Sequence, residues 1–326
     1  MPSLTHRAYA GAADLAAVLE LWLAARAVDR GDLWPPLDTL QAELFACPQG
    51  TPYARLWEDQ HGVLVGVAML LDESVLLSCT RVGADDECLT SAMLDWGLAS
   101  VGRAAGGAGA CASLFVPVCG DDRRLAALLE RTGFQEDAWQ TLRMERALHT
   151  PIDAPSLPQA VLIRPFIASR DLAAATALHG RLFVGGRKSM NERSALMAAP
   201  GYRPELDLVA ELADGTLAGY ALAICCELER QRLGQRLCWL EFVGVEQGYR
   251  KRGLGRALTL QLLQAMRAAG LDTVRLSTGA ANLAARRLFE GCGFQVRQRI
   301  RWYVREAERP ARAELLHAWS EGALSA

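Results

Sequence analysis

The sequence contains one pattern twice, and this repeat limits the fold more than any other feature of the chain. Residues 7–17 match residues 164–174, residues 62–68 match residues 215–221, and residues 128–134 match residues 288–294. Arg7 and Asp14 recur as Arg164 and Asp171 with the same spacing. Three matches in one order, displaced by 153 to 160 residues, predict two duplicated domains rather than a solenoid of short repeats.

A proline-rich segment lies between the two copies. Residues 149–158 contain Pro151, Pro155 and Pro158, which interrupt helices and remove backbone donors from strands. We therefore predict a linker here and two domains, spanning residues 1–150 and 151–326. With 326 residues and an apolar fraction of 51%, the chain can build a packed core in each domain.

The hydrophobic pattern predicts the same order of elements in each copy: strand, helix, β-hairpin, strand, helix, strand, helix and strand. In the second copy the predicted strands are 161–165, 208–212, 217–224, 238–245 and 274–277, and the predicted helices are 171–183, 254–270 and 282–291. Asp214-Gly215 marks the turn of the hairpin.

The stretch GYRKRGLGRAL at residues 248–258 combines glycines with cations where a helix begins. A strand that enters a helix through such a turn presents free backbone N–H groups at the positive end of the helix dipole, where an anion can bind. Gly253 and Gly255 have no Cβ atom to hold a pyrophosphate away from the backbone. Positive charge is added by four side chains, those of Arg250, Lys251, Arg252 and Arg256.

Two common nucleotide-binding motifs do not fit this loop. Gly248 and Gly253 have the spacing of a P-loop, but Leu254-Gly255 stands where that motif requires Lys followed by Ser or Thr. The dinucleotide fingerprint lacks its third glycine, because Leu258 occupies that position. The remaining alternative is a solvated basic helix start whose glycines serve only the turn.

Two motifs together resemble those of a known family. The pattern Arg-x-x-Gly-x-Gly at residues 250–255 follows a predicted strand that ends Val243-Gly244-Val245. Residues 282–294 read NLAARRLFEGCGF, which is similar to an Asn-x-x-Ala-x-x-Leu-Tyr-x-x-x-Gly-Phe helix. Both resemble the GNAT superfamily of N-acetyltransferases, over residues 160–305 and more weakly over residues 3–147. The resemblance implies an α/β (α+β) protein of two tandem GNAT-like domains, each a mixed, mostly antiparallel sheet flanked by helices.

The resemblance also implies acetyl-CoA as co-substrate. Backbone groups of Val243 and Val245 would pair with the pantetheine arm, Asn282 would reach toward the pantetheine or thioester, and the N–H groups of residues 250–255 would hold the pyrophosphate. The expected binding residues are Val243, Val245, Arg250, Lys251, Arg252, Gly253, Leu254, Gly255, Arg256 and Asn282. No metal site is expected, because the five histidines are scattered and the nine cysteines include no CxxC pair.

Glu241 is the expected general base. It stands four residues before Val245, on the strand where relatives carry the group that takes a proton from the acceptor amine. The alternative is a glutamate that faces solvent at a strand end. In place of the tyrosine that often protonates the leaving thiolate, this sequence has Phe289, which has no proton to give. The remaining candidates for that role are Ser277, Tyr303 and Tyr220.

The first copy lacks the features of the phosphate loop. At residues 82–91 the sequence reads VGADDECLTS, so three carboxylates stand where phosphates would have to bind. Asp122 occupies the position of Asn282. We therefore expect domain 1–150 to be a degenerate copy that does not bind the cofactor and that packs beside the acceptor pocket, and domain 151–326 to be catalytic.

The sequence thus predicts an N-acetyltransferase that moves an acetyl group from acetyl-CoA to a primary amine of a small molecule or peptide by direct attack. One alternative is an acyl-CoA-binding sensor or scaffold without catalysis; another is a covalent intermediate on Cys292 or Cys226. A formal charge of −2 argues against nucleic-acid binding, and no apolar run reaches the roughly 18 residues of a membrane span. We expect a cytoplasmic monomer with pseudo-dimeric domains, with a homodimer as the alternative.

Overall fold

The computed structural model describes residues 4–27, 36–46, 53–71, 74–81, 83, 87–104, 113–183 and 190–306. The strands are β1 Thr5–Ala8, β2 Ala54–Glu58, β3 Leu64–Leu71, β4 Val75–Thr80, β5 Ser113–Cys119, β6 Gln135–Ala147, β7 Val161–Pro165, β8 Tyr202–Leu212, β9 Leu217–Cys225, β10 Leu237–Val245, β11 Thr273–Gly279 and β12 Gln295–Glu306. The helices are α1 Ala12–Ala27, α2 Leu37–Ala46, α3 Glu87–Ala104, α4 Arg123–Arg131, α5 Ala168–Leu182, α6 Met190–Met197, α7 Glu227–Leu233, α8 Leu254–Ala268 and α9 Leu283–Gly291.

The chain forms two compact units that are not consecutive halves of the sequence. Of the described residues, unit 1 contains those up to Gln140 and those from Ile300 onward, and unit 2 contains Thr141 to Arg299. The division differs from the predicted boundary near residue 150 because strands β6 and β12 are each divided between the units. Each unit therefore includes a strand segment from the other half of the chain.

Unit 1 has a mixed, mostly antiparallel sheet in the order β1, β2, β3, β4, β5, β12. Residues 300–306 of β12 pair antiparallel with β5, from Ile300 opposite Cys119 to Glu306 opposite Ser113. Strand β4 is parallel to β5. The fully buried Tyr303 joins the core of this unit, so the segment of β12 is integral to it.

Unit 2 has the matching order β6, β11, β10, β9, β8, β7, with residues 141–147 of β6 antiparallel to β11. The sheet has a hydrophobic core on each face. One core contains side chains of α8 and α9, such as Leu258 and Phe289, and the other contains side chains of α5, such as Leu178. Helices α8 and α9 thus cover one face, and α5 lies on the opposite face.

An arginine of each exchanged segment binds the end of a helix in the unit that receives it. In unit 2, Arg146 of β6 donates to the carbonyl of Cys292, the C-cap of α9. In unit 1, Arg305 of β12 donates to the carbonyl of Thr132, the C-cap of α4, at 2.9 Å. Each cap precedes a glycine with positive φ, the glycine of the repeated Gly-Phe pair, which suits the left-handed turn that ends a helix.

The structure confirms the predicted fold class and the predicted elements of the second copy. Strand β7 has the predicted bounds, and Gly215 takes the positive φ of 85° expected at the hairpin turn. The pattern did not predict α2, α6 or α7, and it placed the start of β8 six residues too late. None of the helices in the described ranges is long and apolar enough to cross a membrane.

Candidate active site

The carboxyl halves of strands β10 and β11 separate from one another. The two parallel strands pair only from Leu237 opposite Thr273 to Trp239 opposite Arg275. Beyond Trp239, β10 is paired with β9 alone and β11 with β6 alone, among the strands that the structure describes. One backbone edge of β10, which includes Val243 and Val245, is therefore open to an extended ligand that could pair with it as a strand would.

Glu241 occupies a β-bulge in β10. Leu240 lies opposite Ala223 and Phe242 lies opposite Leu222, so the register of β10 against β9 shifts by one residue at Glu241. Leu240 belongs to the core under α8 and α9, whereas Phe242 belongs to the core beside α5. Val243 returns to the α8 core, so the strand changes sides at the bulge, between Leu240 and Phe242.

Six consecutive backbone N–H groups precede and open helix α8. The N–H groups of residues 251–256 have no hydrogen-bond acceptor among the described residues, and the first paired one is that of Ala257, which donates to Gly253. The N–H of Arg250 donates to Gln247, so the unpaired series begins one residue later than predicted. Unpaired donors at the positive end of a 15-residue helix favour an anion.

The two glycines of this loop have different reasons to be glycine. Gly253 is the N-cap of α8 with a φ of 85°, a left-handed conformation that other residues adopt at a cost, although Lys251 also does so with a φ of 60°. Gly255 has ordinary helical backbone. A Cβ there would meet Leu288 and Val245 at 3.5 and 3.6 Å, which are normal contact distances, so packing within the protein does not require glycine at this position.

The four cations of the loop differ in their partners. Arg250 donates through Nε to the carbonyl of Val245 at 2.9 Å, which ties the loop to the end of β10. Arg256 forms an ion pair of 2.7 Å with Asp153, so part of its charge is already compensated. The guanidinium of Arg252 lies 5.7 Å from the ring centre of Tyr249, and the side chain of Lys251 is exposed to solvent; both charges remain near the loop. 

Asn282 is the N-cap of α9. Its Oδ1 accepts from the N–H of Ala285 at 3.0 Å. Asp122 accepts from the N–H of Leu125 at 2.9 Å in the same position of α4 in unit 1. This repeated position therefore has a structural role in both units, and in Asn282 the side-chain oxygen is engaged by the cap.

The candidate proton donors for a leaving thiolate belong to different elements of the fold. Tyr303 belongs to the core of unit 1. The hydroxyl of Tyr220 contacts Nδ1 of His179 on the α5 face, and Ser277 accepts from Arg143 at 2.5 Å. Phe289 is fully buried in the α8 and α9 core.

A small pocket lies on the α5 face of unit 2, beside Phe242 of the bulge. Its lining comes from α5, α6, β9 and β10 and consists of Ala175, Thr176, His179, Arg193, Tyr220 and Phe242. Sequence analysis did not select His179 or Arg193. Arg193 lies on α6, a helix that the pattern does not predict, and a single histidine within an Ala/Leu helix gives no distinguishing signal.

Unit 1 does not reproduce the bulge. Its strand β4, the counterpart of β10, pairs with β3 without a register shift from Gly66 opposite Thr80 to Leu71 opposite Val75. Residues 82 and 84–86 of the counterpart of the phosphate loop lie outside the described residues. The described part of β4 therefore has no residue in the position of Glu241.

The two cysteines considered as nucleophiles are buried thiols. Burial raises the pKa of Cys292 to about 11, with Arg256 and Arg146 opposing the shift. Cys226 is fully buried. Since the thiolate is the nucleophile, Cys292 is poorly suited to covalent catalysis near neutral pH. Among the residues that the structure describes, no three His, Cys, Asp or Glu side chains are grouped to hold a metal ion.

The separated strands, the bulge and the unpaired N–H groups all lie in the part of the chain that matches a known family. Residues 187–294 match the model described as the Acetyltransferase (GNAT) family. The chain carries a GNAT acetyltransferase domain. This domain contains Glu241, Asn282 and the whole loop of residues 248–258.

Relatives with a curated name support the same assignment. The chain is 38% identical over 168 residues to a mycothiol acetyltransferase of Thermobispora bispora, covering 50% of this chain and 54% of the relative. It is 35% identical over 181 residues to a mycothiol acetyltransferase of Kineococcus radiotolerans, covering 54% of this chain and 56% of the relative. The chain thus spans little more than half the length of these relatives.

Solved structures of GNAT proteins share the fold. A GCN5-related N-acetyltransferase of Sphaerobacter thermophilus has a TM-score of 0.76 and 20% identity, covering 95% of this chain and 98% of that one. A tandem GNAT protein from the clavulanic acid biosynthesis pathway has a TM-score of 0.70 and 15% identity, covering 95% of this chain and all of that one. The two-copy GNAT architecture that the sequence repeat predicts therefore occurs in a known protein.

Proposed function

We propose that unit 2 transfers an acetyl group from acetyl-CoA to a primary amine of a small molecule by direct attack. The observation that carries the proposal is the series of six unpaired N–H groups at residues 251–256, beside a glycine that the protein's own packing does not require. These donors fit a pyrophosphate, and Gly255 leaves room for it to approach the backbone.

The residues around the loop have separate roles in this proposal. Backbone N–H groups of Lys251, Arg252, Gly253, Leu254, Gly255 and Arg256 hold the pyrophosphate. Val243 and Val245 present the open edge of β10 to the pantetheine arm. The carbonyl of Val245 also accepts a hydrogen bond from Arg250, so one of its two acceptor positions is already used. Asn282 maintains the start of α9, and its side chain reaches the pantetheine only through the atoms that the cap leaves available.

Glu241 is the proposed base. The amine must lose a proton before its nitrogen lone pair can attack a carbonyl carbon, and acetyl-CoA supplies that carbon as a thioester. We expect the carboxylate of Glu241 on the α5 face with Phe242, since the two residues of a bulge share one side of the strand, and Leu240 and Val243 lie in the opposite core. The base thus faces the side of the sheet on which the pocket of His179 and Arg193 lies.

Direct transfer is favoured over a covalent intermediate by the state of the cysteines. The raised pKa of Cys292 keeps it protonated, and Cys226 is enclosed in an apolar cluster with Leu237 and Trp239. A small-molecule acceptor is favoured over a peptide because the relatives at 38% and 35% identity are named mycothiol acetyltransferases.

The alternative is an acyl-CoA-binding sensor, which the presence of Phe289 in place of a tyrosine favours. The test is to titrate acetyl-CoA into the full chain by calorimetry and to measure release of free thiol with a panel of primary amines. An enzyme should bind acetyl-CoA and release thiol only when an amine is present. Binding without release would indicate a sensor, and absence of binding would contradict both assignments.

A further inference from the structure

The guanidinium of Arg143 lies at the point where strands β10 and β11 separate. The last paired residues of these strands are Trp239 and Arg275. Cζ of Arg143 lies 4.5 Å from the ring centre of Trp239. Nη1 of Arg143 donates to Oγ of Ser277, two residues beyond the last pair on β11, at 2.5 Å. Arg143 therefore reaches from β6 over β11 to β10, and its positive charge lies at the closed end of the gap between β10 and β11.

Arg143 and Ser277 are on the α5 face of the sheet. Side chains alternate along a strand, and the neighbouring residues Met144 and Leu276 belong to the core under α8 and α9. Arg143 and Ser277 therefore point to the opposite face, on which we also expect the carboxylate of Glu241. Both side chains are half-buried, so a ligand in the gap can contact them.

The proposed position of acetyl-CoA brings its sulfur to this end of the gap. The pyrophosphate would bind at residues 251–256, which follow the carboxyl end of β10. An arm that pairs first with Val245 and then with Val243 runs back along β10 toward the segment that is paired with β11. The thioester is at the far end of that arm. It would therefore lie between Glu241 on one strand and Ser277 on the other.

The hydroxyl of Ser277 has a proton to offer to such a ligand. Its oxygen accepts from Arg143, and this hydroxyl makes no other hydrogen bond with the described residues. Since a hydroxyl is a donor as well as an acceptor, its O–H group can still donate into the gap. A hydroxyl that accepts from a cation is polarised and becomes a stronger donor. Ser277 is thus suited to donate to an atom that carries negative charge.

The charged groups around Ser277 also favour an anion. Glu145 of β6 forms ion pairs with Arg275 at 2.8 Å and with Arg297 at 3.6 Å, so two cations surround one carboxylate. Arg143 adds a third positive charge. The proposed base Glu241 becomes neutral once it has taken a proton from the amine. At the moment when a thiolate would form, the charge on this part of the face is therefore positive.

Tyr220, another candidate proton donor, is placed differently. It lies on β9, opposite Gly244, and β9 occupies the edge of β10 that faces away from the gap. Its hydroxyl contacts His179 of α5. Ser277 is therefore better placed than Tyr220 to contact a ligand between β10 and β11.

We propose that Ser277 donates a hydrogen bond to the leaving thiolate of coenzyme A, and that Arg143 is the positioning residue that holds and polarises it. The proposal rests on the acetyltransferase function proposed for unit 2, and it assigns the role that Phe289 cannot fill. The amine nitrogen bonds to the carbonyl carbon and its proton passes to Glu241. The C–S bond breaks, and its electron pair stays on sulfur. Ser277 keeps its proton, because a serine hydroxyl is less acidic than a thiol, and a sulfur with a thiol pKa of about 8.5 takes its proton from water.

Substitution of Ser277 tests this role in turnover. Ser277→Ala should lower kcat about ten- to a hundredfold, the effect of one hydrogen bond to a charged group, while KM for acetyl-CoA stays within about twofold. Ser277→Thr keeps the hydroxyl and should retain most of kcat. Ser169→Ala changes an exposed serine in the first turn of α5 and is the matched control, with kcat unchanged. Equal kcat in Ser277→Ala and Ser169→Ala would overturn the proposal.

Titration of bound coenzyme A measures the same interaction without turnover. Thiolate is followed by the difference in ultraviolet absorbance between the full chain with and without coenzyme A. The thiol pKa of bound coenzyme A should lie below about 8.5 in the wild type, because a hydrogen bond and a nearby cation stabilise the thiolate. It should rise by about one unit or more in Ser277→Ala and in Arg143→Gln, and by less in Arg143→Lys, which keeps the charge.

The control for this titration is Arg236→Gln, which changes an exposed arginine paired with Asp272 and should leave the thiol pKa of bound coenzyme A as in the wild type. The same thiol pKa in Ser277→Ala and the wild type would overturn the proposal.

Failure of the proposed function can be told apart from failure of this inference. If coenzyme A binds with a lowered thiol pKa that depends on Ser277 but no amine is acetylated, only the proposed transfer fails. If amines are acetylated while kcat and the thiol pKa are independent of Ser277, only this inference fails. If the full chain does not bind coenzyme A, both are overturned.

Discussion

Arg164 donates both terminal nitrogens to the two carboxylate oxygens of Asp171, at 2.6 and 2.8 Å. Arg7 makes the same bidentate contact with Asp14 in unit 1, at 2.7 Å for each bond. The two pairs are the repeated residues of the sequence, so the duplication has preserved an interaction as well as a spacing. They differ in exposure, because the side chain of Arg7 is 44% exposed and that of Arg164 only 13%.

This difference in exposure predicts that breaking the two ion pairs lowers the free energy of unfolding by unequal amounts. Asp171→Asn should destabilise the protein by about 2 kcal/mol, since it removes the bidentate partner of the largely buried Arg164 and leaves Glu211, at 2.6 Å, as its counter-charge. Asp14→Asn should cost about 1 kcal/mol or less, since solvent screens Arg7. Urea unfolding of the two variants measures both values. An equal loss of stability in the two variants, or a larger loss in Asp14→Asn, would show that exposure does not determine how much each ion pair contributes to stability.

The pH dependence of stability follows from the same contact. Arg164 lowers the pKa of Asp171 in the folded state, chiefly through the side-chain hydrogen bonds. The stabilisation is therefore complete above the unfolded-state pKa of about 3.9 and is lost as the pH falls through the lower folded-state pKa. Between about pH 5 and pH 2 the wild type should lose more stability than Asp171→Asn. Parallel losses in denaturant titrations at several pH values would contradict this.

The two loop glycines should respond differently to alanine. Gly253→Ala places a Cβ on backbone with a φ of 85° and should destabilise the fold by about 1 kcal/mol. Gly255→Ala has room and lies in a helix, so stability should be unchanged or rise by about 0.5–1 kcal/mol. Its Cβ should nevertheless weaken acetyl-CoA binding about tenfold or more by holding a pyrophosphate away from the backbone. Thermal unfolding and calorimetry separate the two effects, and full affinity in Gly255→Ala would count against the site.

Removal of the proposed base should affect turnover rather than binding. Glu241→Gln keeps the size of the side chain but cannot accept a proton, so kcat should fall by about 10² to 10⁴. The affinity for acetyl-CoA should stay within about twofold, because the loop of residues 251–256 is untouched. Glu227→Gln, which changes a glutamate paired with Arg230 on α7, is the control and should leave kcat unaltered. A similar kcat in both variants would exclude Glu241 as the base.

Only unit 2 should bind acetyl-CoA. Strand β4 lacks the bulge of β10, and three carboxylates stand in the counterpart of the phosphate loop. Native mass spectrometry or calorimetry of the full chain should therefore give one acetyl-CoA per chain. A stoichiometry of two would show that unit 1 has kept a cofactor site.

Much of the fold could be predicted because it depends on local pattern. Short apolar runs identify β7 and β10, and Asp214-Gly215 fixes a hairpin turn through its φ requirements. The anion-binding loop at residues 250–255 could also be predicted, since the first backbone N–H groups of any helix have no acceptor within that helix. In the structure the series of unpaired N–H groups begins one residue later, because the N–H of Arg250 donates to Gln247 in the preceding turn.

The features that were not predicted depend on contacts between distant residues. The bulge at Glu241 appears only when β10 is aligned with β9, since the sequence alone does not fix a register. The Arg193 and Asp207 pair joins α6 to β8, and neither residue belongs to a recognisable motif. The sharing of β6 and β12 between the units has no sequence signal either, because a strand reads the same whichever sheet it joins.

The sharing of β6 and β12 between the units has consequences for the evolution and the expression of the protein. A gene cut at residue 150 would encode a first product without its closing strand, residues 300–306, and with residues 141–147 exposed as an unmatched edge prone to aggregation. Neither copy is a self-sufficient module, so once the exchange had arisen, loss of one copy would also have damaged the other. A split version of this protein should therefore be soluble and folded only when the two fragments are co-expressed.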